Sequence, residues 1–396
     1  MPLSAYVILK SEKEASLERQ HPWVFSGAIQ SRHGRPRTGD RVAVRTASGQ
    51  WMGWGHYTKG QSIAVRMLAF DAAEPTSGFW AARIQQAVAL RKRLGLIDGD
   101  RTNCCRLLHG EGDGLPGLII DWYAGVAVLQ LHTLGMLAER SAIVDALVTT
   151  LGDALIAVYD KSAKVLARHH NVEHVDETVF GKLPAEVQAR EHGNTFEVDV
   201  IQGQKTGFFL DQRDNRALVG SFSTGKRVLN VFSYTGGFLV SALAGGAKEV
   251  HSLDSSSRAL EVGDRNVTLN FKEARHRSIE ADALEYLKAH SADYDVVVLD
   301  PPAFAKGAHS RDAAVHAYRR LNAMTLKEMP SDSLLFTFSC SQAVDEALFQ
   351  RTVLAAAVQA GRSVQILKRM HQPADHPVAG GHPEGFYLKG LLLRVL

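Results

Sequence analysis

Residues 227–254 read RVLNVFSYTGGFLVSALAGGAKEVHSLD, which is an apolar strand, a glycine turn, a helix of small apolar residues and a second strand. The alternation continues with strand segments at 276–280, 294–299 and 334–338, of which the last two are largely apolar, separated by segments with helical spacing. Apolar strands that alternate with amphipathic helices are typical of a parallel sheet covered on both faces. The pattern predicts a doubly wound, Rossmann-like α/β domain, in which ligands bind beyond the carboxyl ends of the strands.

The turn after the first of these strands has the features of a nucleotide-binding loop. Gly236 allows a positive φ and a close approach of the backbone to a cofactor, and Phe232 and Tyr234 lie in the same turn. A dinucleotide-binding GxGxxG loop requires three glycines and this turn has two, which argues against a dehydrogenase. We therefore predict that Phe232, Tyr234 and Gly236 bind a nucleotide-like cofactor.

Acidic residues follow the next two strands. Asp254 ends the second strand, about one βαβ unit downstream, where a carboxylate can accept hydrogen bonds from both hydroxyls of a ribose. Asp282 follows the third strand, and we expect it to meet the amine of an adenine. Either acid could instead be the N-cap of the helix that follows it. The ordered spacing of three strand ends favours a cofactor site.

The fourth strand ends in Asp300-Pro301-Pro302-Ala303-Phe304. Proline fixes the backbone in an extended path and has no amide donor, so the loop predicts a rigid shelf on which a flat ring could stack or hydrogen-bond. We assign Asp300 to the catalytic and the cofactor-binding residues, and Pro301 and Phe304 to the substrate-binding residues. The alternative is a plain turn with an apolar anchor.

Cys340 lies at the end of a further strand, in Ser339-Cys340-Ser341. A thiolate attacks electron-poor carbon readily, and methylation of carbon 5 of a pyrimidine requires such an attack on carbon 6. We predict Cys340 as that nucleophile, against the alternative of a buried and inert cysteine. Cys104 and Cys105 are expected to be core residues, since neighbouring cysteines are more often core residues than a redox pair, and three cysteines cannot form a disulfide framework.

The segment 204–216 pairs aromatic and basic residues just before the α/β strands. Exposed aromatic rings next to arginines suit stacking on bases and binding of phosphate, so Lys205, Phe208 and Arg213 are predicted to bind RNA. The segment could equally be a structural flap over the cofactor pocket, with Asp211 at the start of a helix. The sequence does not separate the two interpretations.

The first 70 residues carry a basic excess, with ten Lys and Arg against four Asp and Glu, while the whole chain has a net charge of +3. Short β-type runs separated by turn signals predict a small β-barrel or open sheet there. The segment with Gly34 and Pro36 predicts an exposed loop, and phosphate binding needs such a local concentration of positive charge. An ordinary solvated surface is the alternative. The arginines of this segment are Arg32, Arg35, Arg37 and Arg41.

Length and composition set the domain plan. A chain of 396 residues is long enough for two or three domains, and 45% hydrophobic with 22% charged residues is typical of a globular protein. The character of the sequence changes near residue 73 and again near residue 189. We predict a β-barrel domain at 1–72, a small α+β domain at 73–188 and the α/β domain at 189–396.

No apolar run approaches the roughly 20 residues that a membrane span needs, and the N-terminus lacks the pattern of a signal peptide. We therefore expect a cytoplasmic protein without membrane contact. His371, His376 and His382 lie among prolines and glycines in a stretch that looks flexible and has no acidic ligand at helical spacing. No metal site is predicted.

Ordered motifs along nearly the whole chain resemble those of the bacterial large-subunit ribosomal RNA methyltransferases that form 5-methylcytosine in 23S RNA. The resemblance implies an N-terminal PUA domain, a middle α+β domain and a class I methyltransferase domain. It also implies S-adenosylmethionine (SAM) as the cofactor, 23S ribosomal RNA as the partner and Cys340 as the nucleophile. The matching motifs are His21-Pro22-Trp23-Val24-Phe25-Ser26-Gly27-Ala28, Gly112-Asp113-Gly114-Leu115-Pro116-Gly117, Asp211-Gln212-Arg213, Phe232-Ser233-Tyr234-Thr235-Gly236-Gly237-Phe238, Asp300-Pro301-Pro302, Phe338-Ser339-Cys340-Ser341, Asp375-His376-Pro377 and Glu384-Gly385-Phe386-Tyr387-Leu388-Lys389-Gly390.

The sequence departs from many other RNA 5-methylcytosine enzymes at one point. Those enzymes carry a second cysteine beside the fourth-strand motif, and residues 300–304 contain none. The base that removes the ring proton is therefore unassigned. Two alternatives stay open: methyl transfer to an exocyclic amine of a nucleobase, which needs no cysteine, and a non-catalytic RNA-binding or ribosome-assembly protein. The oligomeric state also stays open, a homodimer included.

Overall fold

The computed structural model describes residues 3–70, 76–305 and 308–396. The chain divides into two compact units, each built from several segments. The first unit contains Met1–Ala189, Val198–Phe208 and Ala374–Gly385, and the second contains Arg190–Glu197, Phe209–Pro373 and Phe386–Leu396. No helix within the described residues is long and apolar enough to cross a membrane.

The first unit begins with a six-stranded sheet in the order β2-β6-β5-β4-β1-β3. Strands β1 and β4 pair in parallel and the other neighbours are antiparallel. Val7, Val42 and Val65 lie in the buried core of this sheet. The elements are β1 (Tyr6–Leu9), α1 (Ala15–Glu18), β2 (Trp23–Phe25), β3 (Ile29–His33), β4 (Arg41–Arg45), β5 (Trp51–Tyr57) and β6 (Ile63–Ala69).

A five-stranded sheet with helices follows in the same unit, in the strand order β11-β10-β9-β8-β7. This is the α+β arrangement that the sequence predicts for the middle of the chain. Cys104 and Cys105 are buried in its first strand, as expected of core residues. The elements are α2 (Phe79–Arg93), β7 (Cys104–His109), β8 (Leu118–Tyr123), β9 (Val126–Leu131), α3 (Leu134–Ala138), α4 (Arg140–Leu151), β10 (Ala157–Asp160), α5 (Ala163–His170) and β11 (Glu177–Gly181).

The second unit is a seven-stranded sheet in the order β16-β15-β14-β17-β18-β20-β19, preceded by the two-stranded sheet β12-β13. The strands from β16 to β18 are parallel, and β20 is antiparallel to both of its neighbours. The elements are β12 (Gln188–Glu191), β13 (Asn194–Glu197), α6 (Arg213–Ser221), β14 (Arg227–Val231), α7 (Gly237–Ala244), β15 (Glu249–Asp254), α8 (Ser257–Asn270), β16 (His276–Glu280), α9 (Ala283–His290), β17 (Val296–Leu299), α10 (Arg311–Glu328), β18 (Leu334–Ser339), α11 (Glu346–Gln359), β19 (Val364–Met370) and β20 (Lys389–Val395).

Helices cover both faces of this sheet, as the apolar strands predict. Leu229 on β14 packs in a core cluster with Leu287 of α9 and Phe349 of α11. Its neighbour Val228 packs in a second cluster with Leu239 of α7. Successive side chains of a strand point to opposite faces, so two clusters require a layer of helices on each side.

The ladder register brings the polar strand ends to one edge of the sheet. Val231 pairs with Leu253 on one side and with Leu299 on the other. Leu299 is in turn opposite Thr337 on β18. The loops that begin after residues 231, 254, 299 and 339 therefore start from the same edge, where parallel α/β sheets bind their ligands.

The arginine-rich segment differs from its predicted form. The arginine-rich segment is not a single loop, because Arg32 lies on β3 and Arg41 on β4. The expected domain boundary near residue 73 lies outside the described residues. The three-domain division at 1–72, 73–188 and 189–396 stays a prediction.

Candidate active site

The turn after β14 holds three residues in the left-handed region, with φ of 58° at Phe232, 47° at Tyr234 and 78° at Gly236. Non-glycine residues at positive φ are uncommon and cluster at functional sites. The end of β15 holds this turn in place, since the Tyr234 amide donates to Oδ2 of Asp254 at 2.9 Å. The two predicted cofactor loops are thus in direct contact.

Asp254 keeps capacity for a ligand beyond these backbone bonds. Its Oδ1 accepts from the Ser256 amide at 3.0 Å and its Oδ2 from Tyr234. Each carboxylate oxygen can accept a second hydrogen bond. The side chain is half-buried, so this carboxylate can receive two further donors such as neighbouring ribose hydroxyls.

Asp282 occupies the N-cap of α9, which is the alternative that the sequence left open for it. Its Oδ1 accepts from the amides of Leu284 and Glu285 at 2.9 and 3.0 Å. The side chain is exposed at the edge of the sheet that carries the other strand ends. Capping engages one of its two carboxylate oxygens, and its contact with adenine stays a prediction.

Close packing around the turn depends on glycine. A Cβ at Gly236 would lie 3.2 Å from the Cα of Gly263 on α8, and a Cβ at Gly237 would lie 2.9 Å from Cδ of Arg216. Several buried polar atoms near the turn have no protein partner within the described residues. They are Nδ2 and Oδ1 of Asn230, Oγ of Ser233 and Oγ1 of Thr235. Buried polar atoms of this kind normally have a partner, so they suit a polar ligand beside the turn.

Arg216, which packs against the turn after β14, forms a buried ion pair with Glu191. Its guanidinium donates two hydrogen bonds to Glu191, from Nε to Oε1 at 2.7 Å and from Nη2 to Oε2 at 2.6 Å. Its Nη1 donates to the Phe209 carbonyl at 2.8 Å, and the Phe209 ring meets the Tyr234 ring edge-on at 5.2 Å. Phe209 and Arg216 therefore hold the turn after β14 in place within the second unit.

Two residues expected to contact RNA from this segment are buried. Phe208 is 4% exposed and Arg213 is 3% exposed. The expectation of an exposed ring and an exposed guanidinium is wrong for both, because packing of the segment covers them. Asp211 is also buried and accepts a hydrogen bond from the Tyr387 hydroxyl at 2.7 Å. Lys205 is exposed, in a turn with φ of 49°.

Cys340 and the Asp-Pro-Pro loop are joined through Ser341. The Ser341 hydroxyl accepts from the Ala305 amide at 3.2 Å and shares a 3.0 Å hydrogen bond with Tyr318 of α10. The Tyr318 ring lies 4.8 Å from the ring of Phe304. The strand end that carries the predicted nucleophile and the predicted substrate-binding loop are thus held together by one side chain.

The residues predicted for chemistry differ in accessibility. Cys340 is half-buried, in contrast to the two fully buried cysteines of the first unit. Asp300 and Phe304 are half-buried, and Pro301 is buried. The Cys340 thiol follows the carboxyl end of β18, and the partly accessible Asp300 loop lies beside it. A nucleobase could therefore contact both.

Lys389 is a further residue of this site, and in the sequence it stands out only as part of the tail motif 384–390. Strand β20 places it opposite Ser339, and its Nζ donates to the Ser341 carbonyl at 2.6 Å. Burial lowers the pKa of Lys389 to about 8, against the opposing influence of Cys340 and Asp345. One signal could have found it: a lysine at the start of an otherwise apolar strand.

In the first unit, Arg32, Arg35 and Arg37 are exposed, as predicted. Arg41 differs, because its Nε and Nη2 donate to the two carboxylate oxygens of Glu139 at 2.7 and 2.6 Å. Three arginines of the segment are therefore accessible to phosphate, and the fourth is engaged within the protein.

The stretch with the tail histidines is not a flexible surface. Asp375, His376 and His382 are buried in the first unit. Arg91 donates from Nη2 to the Asp375 carbonyl at 2.7 Å, and the Arg106 amide donates to Oδ2 of Asp375 at 2.9 Å. The expectation of a flexible stretch is wrong because these long-range hydrogen bonds hold it.

Comparison with known proteins shows the class to which the chain belongs. The family model for S-adenosylmethionine-dependent methyltransferase matches residues 105–394, and a model for the PUA-like domain matches residues 7–70. The chain is therefore a SAM-dependent methyltransferase, with a PUA-like β domain before a Rossmann-like domain. The predicted fold class and cofactor are confirmed.

The family within that class follows from full-length relatives. Ribosomal RNA large subunit methyltransferase I of Alteromonas mediterranea is 40% identical over 398 residues, which is 99% of each chain. The protein of the same name from Enterobacter sp. (strain 638) is 39% identical over 400 residues and is covered completely. The chain belongs to the family of ribosomal RNA large subunit methyltransferase I.

Solved structures extend the agreement to the fold. SMU.776 complexed with SAH superposes with a TM-score of 0.85 at 22% identity, over 98% of this chain and 99% of that chain. A structure from Streptococcus mutans assigned to the SAM-dependent methyltransferases gives 0.84 at 21% identity, with the same coverage. The arrangement of sheets described above is thus shared along nearly the whole chain.

Proposed function

We propose that this protein transfers the methyl group of SAM to carbon 5 of a cytosine in 23S ribosomal RNA, with Cys340 as the covalent nucleophile. The observation that carries the proposal is the half-buried thiol at the carboxyl end of β18, joined to the Asp300 loop through Ser341. Full-length relatives at about 40% identity are named for methylation of large-subunit ribosomal RNA.

The chemistry assigns one task to each group. The Cys340 thiolate bonds to carbon 6 of the cytosine, and the electron pair released from the 5,6 double bond makes carbon 5 nucleophilic. SAM supplies the electrophilic methyl group that carbon 5 takes. Asp300 holds the target ring. A base then takes the carbon 5 proton, the electron pair of that C–H bond reforms the 5,6 double bond, and the bond from carbon 6 to sulfur breaks to release the thiolate.

The cofactor is held, in this proposal, by the turn after β14 and the acids at the strand ends. Phe232, Tyr234 and Gly236 form the wall against which the nucleoside lies. Asp254 accepts from the ribose hydroxyls and Asp282 meets the adenine amine. Orphaned polar atoms beside the turn support a polar ligand at this position.

RNA is bound by charge in the first unit and by ring contacts in the second. Exposed Arg32, Arg35 and Arg37, with Lys205, provide the cations for phosphate. Half-buried Phe304 offers a face to the target base, and buried Pro301 fixes the backbone of this loop. Phe208 and Arg213 stay out of this proposal, because buried side chains offer a base no face.

No resident metal forms part of the proposal. His21, His382 and Glu384 place one ligand atom each within 4.8 Å of one another. However, Nδ1 of His21 accepts a hydrogen bond from the Trp23 amide at 3.1 Å. In the neutral ring the proton is then on Nε2, the nitrogen that faces Glu384, so this nitrogen has no lone pair for a metal.

The cellular location and the oligomeric state of the protein also form part of the proposal. We propose that the protein acts in the cytoplasm, since its proposed substrate is ribosomal RNA. A homodimer is the assembly to be tested, by light scattering coupled to size-exclusion chromatography. A single mass of 43.2 kDa in solution would reject the homodimer.

The decisive test of the reaction is the identity of the product. We expect 23S RNA treated with the protein and SAM to yield 5-methylcytidine by mass spectrometry of the nucleosides. Cys340→Ala should abolish transfer and retain SAM binding by calorimetry. A methyl group on the exocyclic amine, or full activity of Cys340→Ala, would contradict the proposal.

A further inference from the structure

A buried lysine lies across the turn that carries Cys340. Lys389 begins β20, and the antiparallel ladder places it opposite Ser339, the residue before Cys340. Its Nζ donates to the carbonyl of Ser341, the residue after Cys340, at 2.6 Å. Lys389 therefore contacts the residue before Cys340 through the strand pairing and the residue after it through a short hydrogen bond, which fixes the lysine side chain.

The burial of this lysine calls for a compensating negative charge. Lys389 is 5% exposed, and a buried ammonium group is unfavourable unless it is paired. An ammonium has three N–H donors, and the Ser341 carbonyl takes one of them. A neutral carbonyl leaves the charge itself without compensation.

Few ionisable groups in the described part of the chain act on Lys389. Cys340 and Asp345 both favour its charged form. Asp345 caps α11 through Oδ1, which accepts from the Leu348 amide at 2.7 Å, and its exposure to solvent screens its charge. Tyr318, which faces the turn from α10, hydrogen-bonds to Ser341 and has a raised pKa because of burial, so its hydroxyl is neutral. Cys340 remains as the group that can acquire a charge.

We propose that Lys389 is a positioning residue that holds Cys340 as a thiolate, ready for attack, through charge pairing across the β18 turn. The inference rests on the proposed function only in that it takes Cys340 as the nucleophile. A thiol next to a lysine ionises more readily than a free thiol. In return, the thiolate stabilises the buried ammonium, so the two charges support each other.

The pairing has a defined pH window. Burial brings the pKa of Lys389 to about 8, so the ammonium form prevails at pH 7 and the charge is lost as the pH rises through that value. The thiolate is favoured while the ammonium is present. Cys340 should therefore be most reactive, relative to an ordinary thiol, below pH 8.

The test is the pH dependence of alkylation of Cys340 by iodoacetamide in the full chain, followed by intact mass spectrometry. Cys104 and Cys105 are fully buried, so the first adduct reports on Cys340, and Cys340→Ala provides the blank. A free thiol reaches half of its maximal alkylation rate at about pH 8.5. We expect the wild-type midpoint at least about one pH unit lower, since an adjacent opposite charge shifts ionisation by about 1–3 units.

Lys389→Met should raise this midpoint and lower the alkylation rate at pH 7 about tenfold, which corresponds to one unit. Lys389→Arg should retain the low midpoint, because it keeps the charge. Lys368→Met is the matched control, since Lys368 is an exposed lysine on the adjacent strand β19. An unchanged pH profile of alkylation in Lys389→Met would overturn the inference. A wild-type midpoint at about 8.5 would overturn it as well, and that measurement does not depend on the folding of any variant.

This experiment is independent of methyl transfer. If Cys340→Ala retains full methyltransferase activity while the alkylation profile depends on Lys389, the nucleophile assignment fails and the charge pairing stands. If Cys340→Ala is inactive and the alkylation profile ignores Lys389, the reverse holds. The two claims can therefore fail separately.

Discussion

Replacement of Arg216 by methionine tests the support of the cofactor turn. Arg216 and Glu191 have side-chain exposures of 3% and 1%, and two hydrogen bonds of 2.7 and 2.6 Å join them. Removal of one member of such a pair leaves a buried carboxylate without compensation, at a cost of about 3–5 kcal/mol. The variant also loses the bond to the Phe209 carbonyl, which braces the ring against Tyr234.

The matched control is a pair with the same geometry at the surface. Arg265 donates to the two carboxylate oxygens of Glu197 at 2.7 and 2.8 Å, but their side chains are 52% and 30% exposed. Exposed pairs contribute about 0–1 kcal/mol, so Arg265→Met should change stability little. The difference between the two variants isolates the effect of burial.

Stability is followed by circular dichroism in urea, and SAM affinity by calorimetry. We expect Arg216→Met to lower the free energy of unfolding by about 3 kcal/mol or more and to weaken SAM binding. A double variant with Glu191→Gln should regain part of the stability, since it removes the orphaned charge. Equal losses in Arg216→Met and Arg265→Met, or intact SAM binding with a destabilised fold, would refute this reasoning.

Three further outcomes are expected. Burial alone would raise the pKa of Glu139, but hydrogen bonds and charges from His56 and Arg41 outweigh it and lower this pKa to about 2. The ionised carboxylate therefore stabilises the folded protein above the usual carboxyl pKa, and this stabilisation is lost as the pH falls towards 2. Glu139→Gln should therefore lower the melting temperature at pH 7, and the gap to wild type should close near pH 2. Asp254→Asn should weaken SAM binding about tenfold or more by calorimetry, because hydrogen bonds to a charged group contribute about 1.5–3 kcal/mol; unchanged affinity would reject Asp254 as a ligand. Arg35→Ala should reduce the salt dependence of RNA binding, with a slope smaller by about 0.7 per lost phosphate contact on single-stranded RNA; an unchanged slope in a filter-binding assay would remove Arg35 from the interface.

The α/β sheet was predictable because its signal is local. The run 296–299 is continuously apolar, the strand 227–231 is largely apolar, and each is followed by a helix of regular spacing. The turn from 232 to 236 was predictable for the same reason, since its glycine and its place after a strand are visible in the sequence. The contact of Tyr234 with Asp254 follows once the strands are adjacent.

The misjudged residues depend on contacts between distant parts of the chain. Asp375 is held by Arg91, which is 284 positions away, so no local pattern could show that this stretch is buried. Phe208 and Arg213 have the composition of an exposed binding segment, and only tertiary packing covers them. Lys389 reaches the carbonyl of Ser341, next to Cys340, because β20 is antiparallel in an otherwise parallel sheet, which periodicity does not reveal.

The covalent step at Cys340 is the central claim, and a trapping experiment tests it most directly. In RNA that carries 5-fluorocytosine at the target, methylation leaves fluorine on carbon 5 with no proton to lose, so the thiolate cannot be released. With SAM present, we predict a protein–RNA complex that survives denaturation and yields a cross-linked peptide containing Cys340. Transfer of methyl groups to this RNA without any covalent complex would contradict the mechanism.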